Sequence, residues 1–419
     1  MTALSSTFES WPVAVIGAGP VGLAAAAHLQ ARGLDPLVLE AGPSPGTAVL
    51  QWGHVRLFSP WEVLIDDASA QALSATGWRA PRSDGLPTGK ELVERYLEPL
   101  AASPALADRI RYDHRILSVS RVGPDRTEGS VRHLAPFVLR VAAPGGLIDV
   151  IARGVVDASG TWRQPNPLGA SGVAAIGEGE AASRITYGIP DVVGPDRHRY
   201  ENRRVLVVGS GHSAFNVLAD LATLRGAAPG TRIFWAIRSA TLDQVLATRT
   251  GGGLPACARL GTRMAALVEE GAVSLLSGFR AERVVMAADA VAVIGTDMTS
   301  VEADEIVVAT GSRPDLHMLR ELRLDVDDVF EAPAQLAPLV TCASAPEHGA
   351  RELGHPEPDF YTVGMKSYGR APSFLLDTGY LQVRSVVAAL ASAPGHVATT
   401  SSNGEILQGD HTAAPIRSA

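Results

Sequence analysis

The stretch that decides the fold reads Trp11-Pro-Val-Ala-Val-Ile16, Gly17-Ala-Gly19-Pro-Val-Gly22, then Leu23-Ala-Ala-Ala-Ala-His-Leu-Gln-Ala-Arg32. Val13 to Ile16 is a short apolar run with strand character, the glycines stand at G-x-G-x-x-G spacing, and the Ala-rich run is a strong helix former. A second apolar run, Pro36 to Leu39, ends in Glu40, 18 residues beyond Gly22 and close to the roughly 20 at which an acid meets ribose hydroxyls. A pyrophosphate needs backbone N–H donors at a helix N-terminus, and a Cβ in the turn would hold it away. Gly17, Gly19, Pro20, Gly22 and Glu40 are therefore candidate cofactor-binding residues.

The pattern recurs. Arg204-Val-Leu-Val-Val208 leads into Gly209-Ser-Gly211-His-Ser-Ala214, a helical run Phe215 to Leu224 and a strand Arg232 to Ile237, with the glycines 192 residues beyond the first set. Here the second strand runs into Arg238 instead of an acid, and a guanidinium at that position pairs with a 2′-phosphate, which favours NADPH over NADH. Gly209, Gly211, His212, Ser213, Ala214 and Arg238 form the second candidate set. Two copies with correct flanks predict an α/β protein with two Rossmann-like dinucleotide-binding units.

Outward from the two motifs, Thr88-Gly-Lys-Glu91 is a capping-box pattern opening a helix to about Leu100, and Ile110 to Asp157 is β-rich with a hairpin around Pro144-Gly145-Gly146. Three short strands follow the second motif (Ala272–Leu276, Arg283–Met286 and Asp289–Ile294), then the apolar run Glu305 to Ala309. Asp359 to Val363 is a last strand, and Gly364 to Gly369 leads into a helix from about Ser373 to Leu390. Residues 11–190 and 303–392 are read as one domain, 200–302 as a second inserted into it, and 393–419, rich in Ala, Ser, Thr and Gly, as a flexible tail.

Length and composition set the outer bounds. The 419 residues allow two or three domains. A net charge of −8 removes any overall field drawing the chain to nucleic acid or anionic membranes. No apolar run reaches the roughly 20 residues of a membrane span, and the stretch Val13 to Ala27 follows Glu9 instead of a basic segment, so it is not a signal peptide. Cys257 and Cys342 are far apart, which fits a reducing, cytoplasmic setting, and no paired-cysteine motif exists for dithiol chemistry. The eleven histidines show no HExxH or other metal pattern.

Gly17-Ala-Gly-Pro-Val-Gly22 with Glu40, Asp157-Ala-Ser-Gly160, Val207 to Ala214, Ala309-Thr-Gly311 and Tyr361-Thr-Val-Gly364 occur in the order typical of flavoproteins with two dinucleotide-binding domains. The chain resembles these proteins over most of residues 11–392 and, within them, looks like a divergent relative of the class B flavin-containing monooxygenases. That group's FxGxxxHxxxY fingerprint has no counterpart between Tyr187 and Tyr200. The resemblance implies FAD in the first domain and NADPH in the inserted one. It adds Gly160, Thr310, Gly311, Gly364 and Met365 to the cofactor-binding candidates, with the strand before Thr310 returning the chain to the FAD domain. It also implies that NADPH reduces the flavin and that O2 is captured as a C4a-(hydro)peroxide, whose distal oxygen is inserted into a small soluble substrate at N, S or C.

The segment Gly46 to Trp61 occupies the position where such proteins bring the chain past the flavin ring, so Gln51, Trp52, His54, Arg56 and Ser59 are candidate flavin-edge or substrate-pocket residues. Lys366, Tyr368 and Arg370 precede the last helix, near Pro372, where a helix N-terminus would face negative charge on reduced flavin; Lys366 joins the catalytic candidates. Gly251-Gly-Gly253 reads as a hinge over NADPH, with Arg249 as a phosphate ligand. The expected partners are a small-molecule substrate and O2, with a homodimer left open. The glycine motifs alone do not separate a monooxygenase from an NADPH-dependent reductase or oxidase, or from a non-catalytic nucleotide-binding redox protein.

Overall fold

The structure is a computed structural model describing residues 11–129, 132–250, 255–287, 289–340, 346–371 and 374–392. The chain opens with β1 (Val13–Ile16), α1 (Pro20–Ala31), β2 (Pro36–Leu39) and β3 (Ile110–Arg111). An antiparallel excursion follows, β4 (Arg115–Arg121), β5 (Phe137–Ala143) and β6 (Gly146–Ala152), before β7 (Gly154–Asp157). The second unit comprises β8 (Ile185–Tyr187), β9 (Arg204–Val208), α2 (His212–Ala227), β10 (Arg232–Ala236), α3 (Pro255–Glu269) and β11 (Ser274–Leu276). It continues with a second antiparallel excursion, β12 (Ala281–Met286), β13 (Val291–Gly295) and β14 (Ser300–Ala303), and with β15 (Glu305–Val308). The chain then returns through β16 (Phe360–Thr362) to α4 (Leu376–Ser392).

Two five-stranded sheets result, β16-β7-β1-β2-β3 and β8-β15-β9-β10-β11, and every pairing in them is parallel. Both units are three-layered. In the first, alternate residues of β1 part company: Val13 and Val15 pack against Leu23 and Leu29 of α1 and Val383 and Leu390 of α4, while Ala14 and Ile16 pack against Val119, Phe137 and Leu139 of the antiparallel excursion. A strand covered on both faces has no polar face to present, which is why the sequence VAVI is unbroken. Helix α1 is buried from Val21 to Leu29 because the sheet and α4 enclose it. In the second unit Val205 and Val207 face Phe215 and Leu218 of α2 and Met264 of α3, and Leu206 and Val208 face Val284, Val291 and Val293.

Two sequence expectations on domain limits change. Ile185–Tyr187 and Glu305–Val308, both assigned to the first domain by the sequence, pair with each other and with Arg204–Val208 in the second sheet. Strand-edge hydrogen bonding, invisible in a linear reading, decides their membership. The last helix begins at Leu376 among the described residues, and Lys366 and Tyr368 lie in a separate 3-10 turn, Gly364–Tyr368. Pro372, the glycine run 251–253, Cys342 and the segment 393–419 lie outside the described residues. No helix among the described residues is long and apolar enough to cross a membrane.

Candidate functional site

Each glycine turn divides its labour in the same way. Gly17 has φ +100°, and a Cβ there would meet the Ala158 carbonyl oxygen at 2.9 Å; one on Gly22 would meet the Gly17 oxygen at 2.0 Å. These two glycines are demanded by the packing of turn, strand and helix. Around Gly19, by contrast, no protein atom lies within 4 Å of a built Cβ. Gly19 is the N-cap of α1, no side chain caps the helix, and its first turn holds no acid. The turn therefore presents open N–H groups and the positive end of the helix dipole to whatever enters from the cleft. At the second turn Gly209 has φ +133° and would clash with the Ala309 oxygen at 2.2 Å, whereas Gly211, N-cap of α2, is again open and again uncapped. Ala214 replaces the third glycine and is buried.

Both turns face one cleft of about 1320 Å³. Glu40 lines it at the end of β2, its Oε2 accepting the Ala18 N–H at 2.7 Å and its Oε1 accepting the Gly42 N–H at 2.7 Å. A carboxylate so fixed keeps free lone pairs for further donors such as ribose hydroxyls. Arg238 lines the same cleft beyond β10 and is exposed. Gly160, His212, Ser213, Thr310, Gly311, Gly364 and Met365 also line it, as do Trp52, Arg56, Ser59 and the exposed Arg370. The Thr310 hydroxyl donates to the Asn166 carbonyl oxygen at 3.0 Å, latching the strand end of the second unit to the segment after Gly160. Phe58 stacks on His212 at 4.9 Å between ring centres, joining the loop of the first unit to the turn of the second.

Five expected residues sit elsewhere. Lys366 does not reach the cleft: it is 1% exposed, and its Nζ donates to Asp157 Oδ2 at 2.6 Å and to Ser159 Oγ at 3.1 Å. A buried ammonium is held where a carboxylate neutralises it, so Lys366 supports the segment that leads to Gly160. Gln51 and His54 line a second cavity of about 640 Å³ on the far side of Trp162. Gly22 and Ala214 lie beneath their turns and act through packing.

Trp162 and Asn166 do not stand out in the sequence. Trp162 lines both cavities, and its indole N–H donates to Gln51 Oε1 at 2.6 Å. Asn166 lines the cleft; its amide donates to the Thr310 carbonyl oxygen at 3.1 Å, and its Oδ1 is buried with no hydrogen-bond partner. An acceptor in that state fits a ligand that brings a donor. The signal for Trp162 was its place two residues after Gly160; for Asn166 no local signal existed. Cys257 is buried in α3, away from both cavities, and burial pushes its thiol up, so it has the character of a packing residue. No group of three or more His, Cys, Asp or Glu that could hold a metal ion is found among the described residues.

Comparison with known proteins follows this geometry. Residues 15–72, the first glycine turn and its surroundings, match a family described as an NAD(P)-binding Rossmann-like domain. Among solved structures, the bacillithiol disulfide reductase Bdr of Bacillus cereus superposes with a TM-score of 0.67 at 19% identity, covering 91% of this chain and 99% of its own. The two share one fold, an α/β architecture with two Rossmann-like units. The FAD-bound cadaverine monooxygenase DfoA of Erwinia amylovora shares this fold with a TM-score of 0.63 at 15% identity, over 96% and 99% of the two chains. The ornithine N-hydroxylase of Kutzneria sp. 744 shares it with 0.61 at 17% identity, over 91% and 98%. In sequence, a flavin-containing monooxygenase of Arabidopsis thaliana, GS-OX-like 2, is 23% identical over 236 residues, 50% of this chain. The match spans 47% of that relative's length, about half. The resemblance to flavin-containing monooxygenases drawn from the glycine motifs thus recurs in a sequence match over half of the chain.

Proposed function

We propose that this protein is an FAD- and NADPH-dependent oxidoreductase that acts as a monooxygenase on a small soluble substrate. The single observation that carries the cofactor reading is that two uncapped helix N-termini open onto one cleft, one beside Glu40 and the other beside Arg238. Gly17, Gly19, Pro20 and Glu40 would hold the pyrophosphate and ribose of FAD, and Gly160, Gly364 and Met365 its flavin end. Gly209, Gly211, His212 and Ser213 would hold the NADPH pyrophosphate, with Arg238 pairing with its 2′-phosphate. When bound, FAD supplies the redox chemistry that side chains lack, taking two electrons from NADPH and passing them to O2. The protein's part is to orient: Phe58 and His212 close the seam between the units, and Trp52 and Trp162, 6.4 Å apart between ring centres, wall the middle of the cleft against water.

A second reading, electron transfer from NADPH without oxygen insertion, is supported by the overlap with the disulfide reductase Bdr; the separation of the two cysteines argues against a thiol version of it. The experiment is to load the protein with FAD, reduce it anaerobically with NADPH while following flavin absorbance, and then turn it over under isotopically heavy O2 with amine, thioether and carbonyl compounds. Label in an organic product is the expected result. NADPH consumption with all the oxygen recovered as peroxide supports the second reading, and an FAD spectrum unmoved by NADPH overturns the donor assignment.

A further inference from the structure

The cavity of about 640 Å³ beside the cofactor cleft is large enough for a small organic molecule, and none of Gly17, Gly19, Gly209 and Gly211 lines it. We propose that it is the substrate pocket and that it takes a small cation, an ammonium- or guanidinium-bearing molecule held by Asp191, Asp196 and the face of Trp162. The word substrate rests on the oxidoreductase reading above; the binding claim does not.

Position is the first argument. The cavity and the cleft share a wall made of Trp162, Ile189, Ser213, Ala309, Gly311 and Ser312, so a bound molecule lies one side-chain thickness from the cofactor space. Trp162 is the large member of that wall and its place is set twice. Its indole N–H is held by Gln51 at 2.6 Å, and its ring rests on Gly188, where a Cβ would come within 3.0 Å of it.

Charge is the second argument. The Asp191 N–H donates to Asp196 Oδ2 at 2.9 Å, and the Gly194 N–H donates to Asp191 Oδ1 at 2.9 Å, so backbone groups fix both carboxylates in one loop. Each keeps one oxygen, Asp191 Oδ2 and Asp196 Oδ1, without a hydrogen bond among the described residues. The cations nearby are committed elsewhere. The side chain of Lys90, which also lines the cavity, is 65% exposed and pairs with Glu94 at 3.5 Å. Arg197 pairs with Glu201 at 2.9 Å, and Arg199 pairs with Glu305. Asp220, on α2, interacts electrostatically with both His54 and Asp191 and adds to the negative field. An aromatic face beside free carboxylate oxygens is the chemistry that selects a cation over a neutral or anionic molecule of the same shape.

His54 supplies the third. It lines the cavity, and its Nε2 is buried without a partner. Turned toward the cavity, the imidazole would offer a ligand a second, polar anchor and satisfy that nitrogen.

The test uses the full chain loaded with FAD, with flavin absorbance reporting cofactor content independently of ligand binding. Butylamine, butanol and butyrate, alike in shape and different in charge, are titrated by calorimetry at low and high salt. Butylamine is expected to bind, more weakly at high salt, with butanol and butyrate at least ~10-fold weaker, the worth of one charge-assisted hydrogen bond. Asp191→Asn with Asp196→Asn is expected to remove that preference, and Trp162→Leu to weaken butylamine alone. Butyrate binding as well as butylamine, or butylamine displaced competitively by NADP+, would overturn the proposal, as would absence of butylamine binding at millimolar concentration. If the double variant does not fold, the charge preference of the wild type and its salt dependence still decide. A protein that takes up no FAD but prefers butylamine breaks the oxidoreductase reading and leaves the binding site standing.

Discussion

The two halves of this molecule solve one geometric problem with opposite electrostatics. Their glycine turns superimpose in logic, with one glycine forced by a carbonyl behind it, Gly17 or Gly209, and one left open toward the cleft, Gly19 or Gly211. Around those turns the chemistry inverts. The strand after the first helix is followed at once by an acid, Glu40, and two residues beyond the strand after the second stands a cation, Arg238. At the partner position one strand over, Ile16 lies beside Asp157 in the first sheet, and Val208 lies beside Val308 in the second. The ninth residue of α1 is His28, buried and bonded to Asp66 at 2.9 Å; the ninth of α2 is Asp220, whose partners among the described residues are electrostatic. In the proposed reading, the backbone of each turn is what would hold a pyrophosphate, while the charges at the margins would set which nucleotide it belongs to.

The sharpest way to break the comparison is to fill the open glycines. A Cβ on Gly19 meets no protein atom within 4 Å, so in Gly19→Val the fold should persist while FAD uptake falls below ~1% of wild type in flavin absorbance, since the side chain takes the pyrophosphate's place. Gly211→Val should leave FAD content intact and abolish saturable reduction by NADPH. Loss of FAD from both variants would mean the two turns are not separate sites.

Next in size is the fully buried Lys366–Asp157 ion pair of the first unit. Lys366→Met leaves Asp157 buried without its cation, which should lower stability by about 3–5 kcal/mol in denaturant unfolding. Replacing Asp157 as well, by Leu, should recover much of this and make the first sheet resemble the second. If Lys366 touched the flavin instead, the single variant would change turnover with stability unmoved.

Removing the cation of the second unit is a smaller change. Arg238→Ala should reduce the preference for NADPH over NADH by about 10- to 100-fold in kcat/KM, the worth of ~1.5–3 kcal/mol for charge-assisted hydrogen bonds to a phosphate. Arg238→Glu should go further and favour NADH. An unchanged ratio would break the assignment of Arg238.

The smallest effect concerns Asp220. Burial, the largest influence, raises its carboxyl above the ordinary 3.8; His54 and Arg263 pull it back, and Asp191 adds to the rise. A carboxyl with a raised folded-state pKa weakens the fold as pH climbs through that pKa. Asp220→Asn should therefore raise Tm at pH 7 by a few degrees and leave it unchanged near pH 3, where the wild-type group is protonated in both states. A gain of equal size at both pH values would mean that packing, not ionisation, is responsible.

What the sequence alone determined is local. The strand-turn-helix signature of both units, Glu40 and Arg238 at their strand ends, and the capping box are all present as read, with the Glu91 N–H donating to Thr88 Oγ1 at 3.1 Å and the Thr88 N–H donating to Glu91 Oε2 at 2.7 Å. These features depend on residues within one turn or one strand of each other, where spacing fixes geometry. The tertiary structure alone decided the rest. It set Lys366 against Asp157, 209 residues away, placed Glu305–Val308 beside Arg204–Val208, and turned Gln51 and His54 from the cofactor cleft into the second cavity behind Trp162. Hydrogen bonding between strands and the neutralisation of buried charge join residues whose separation along the chain carries no information, and only the folded chain shows which partners meet.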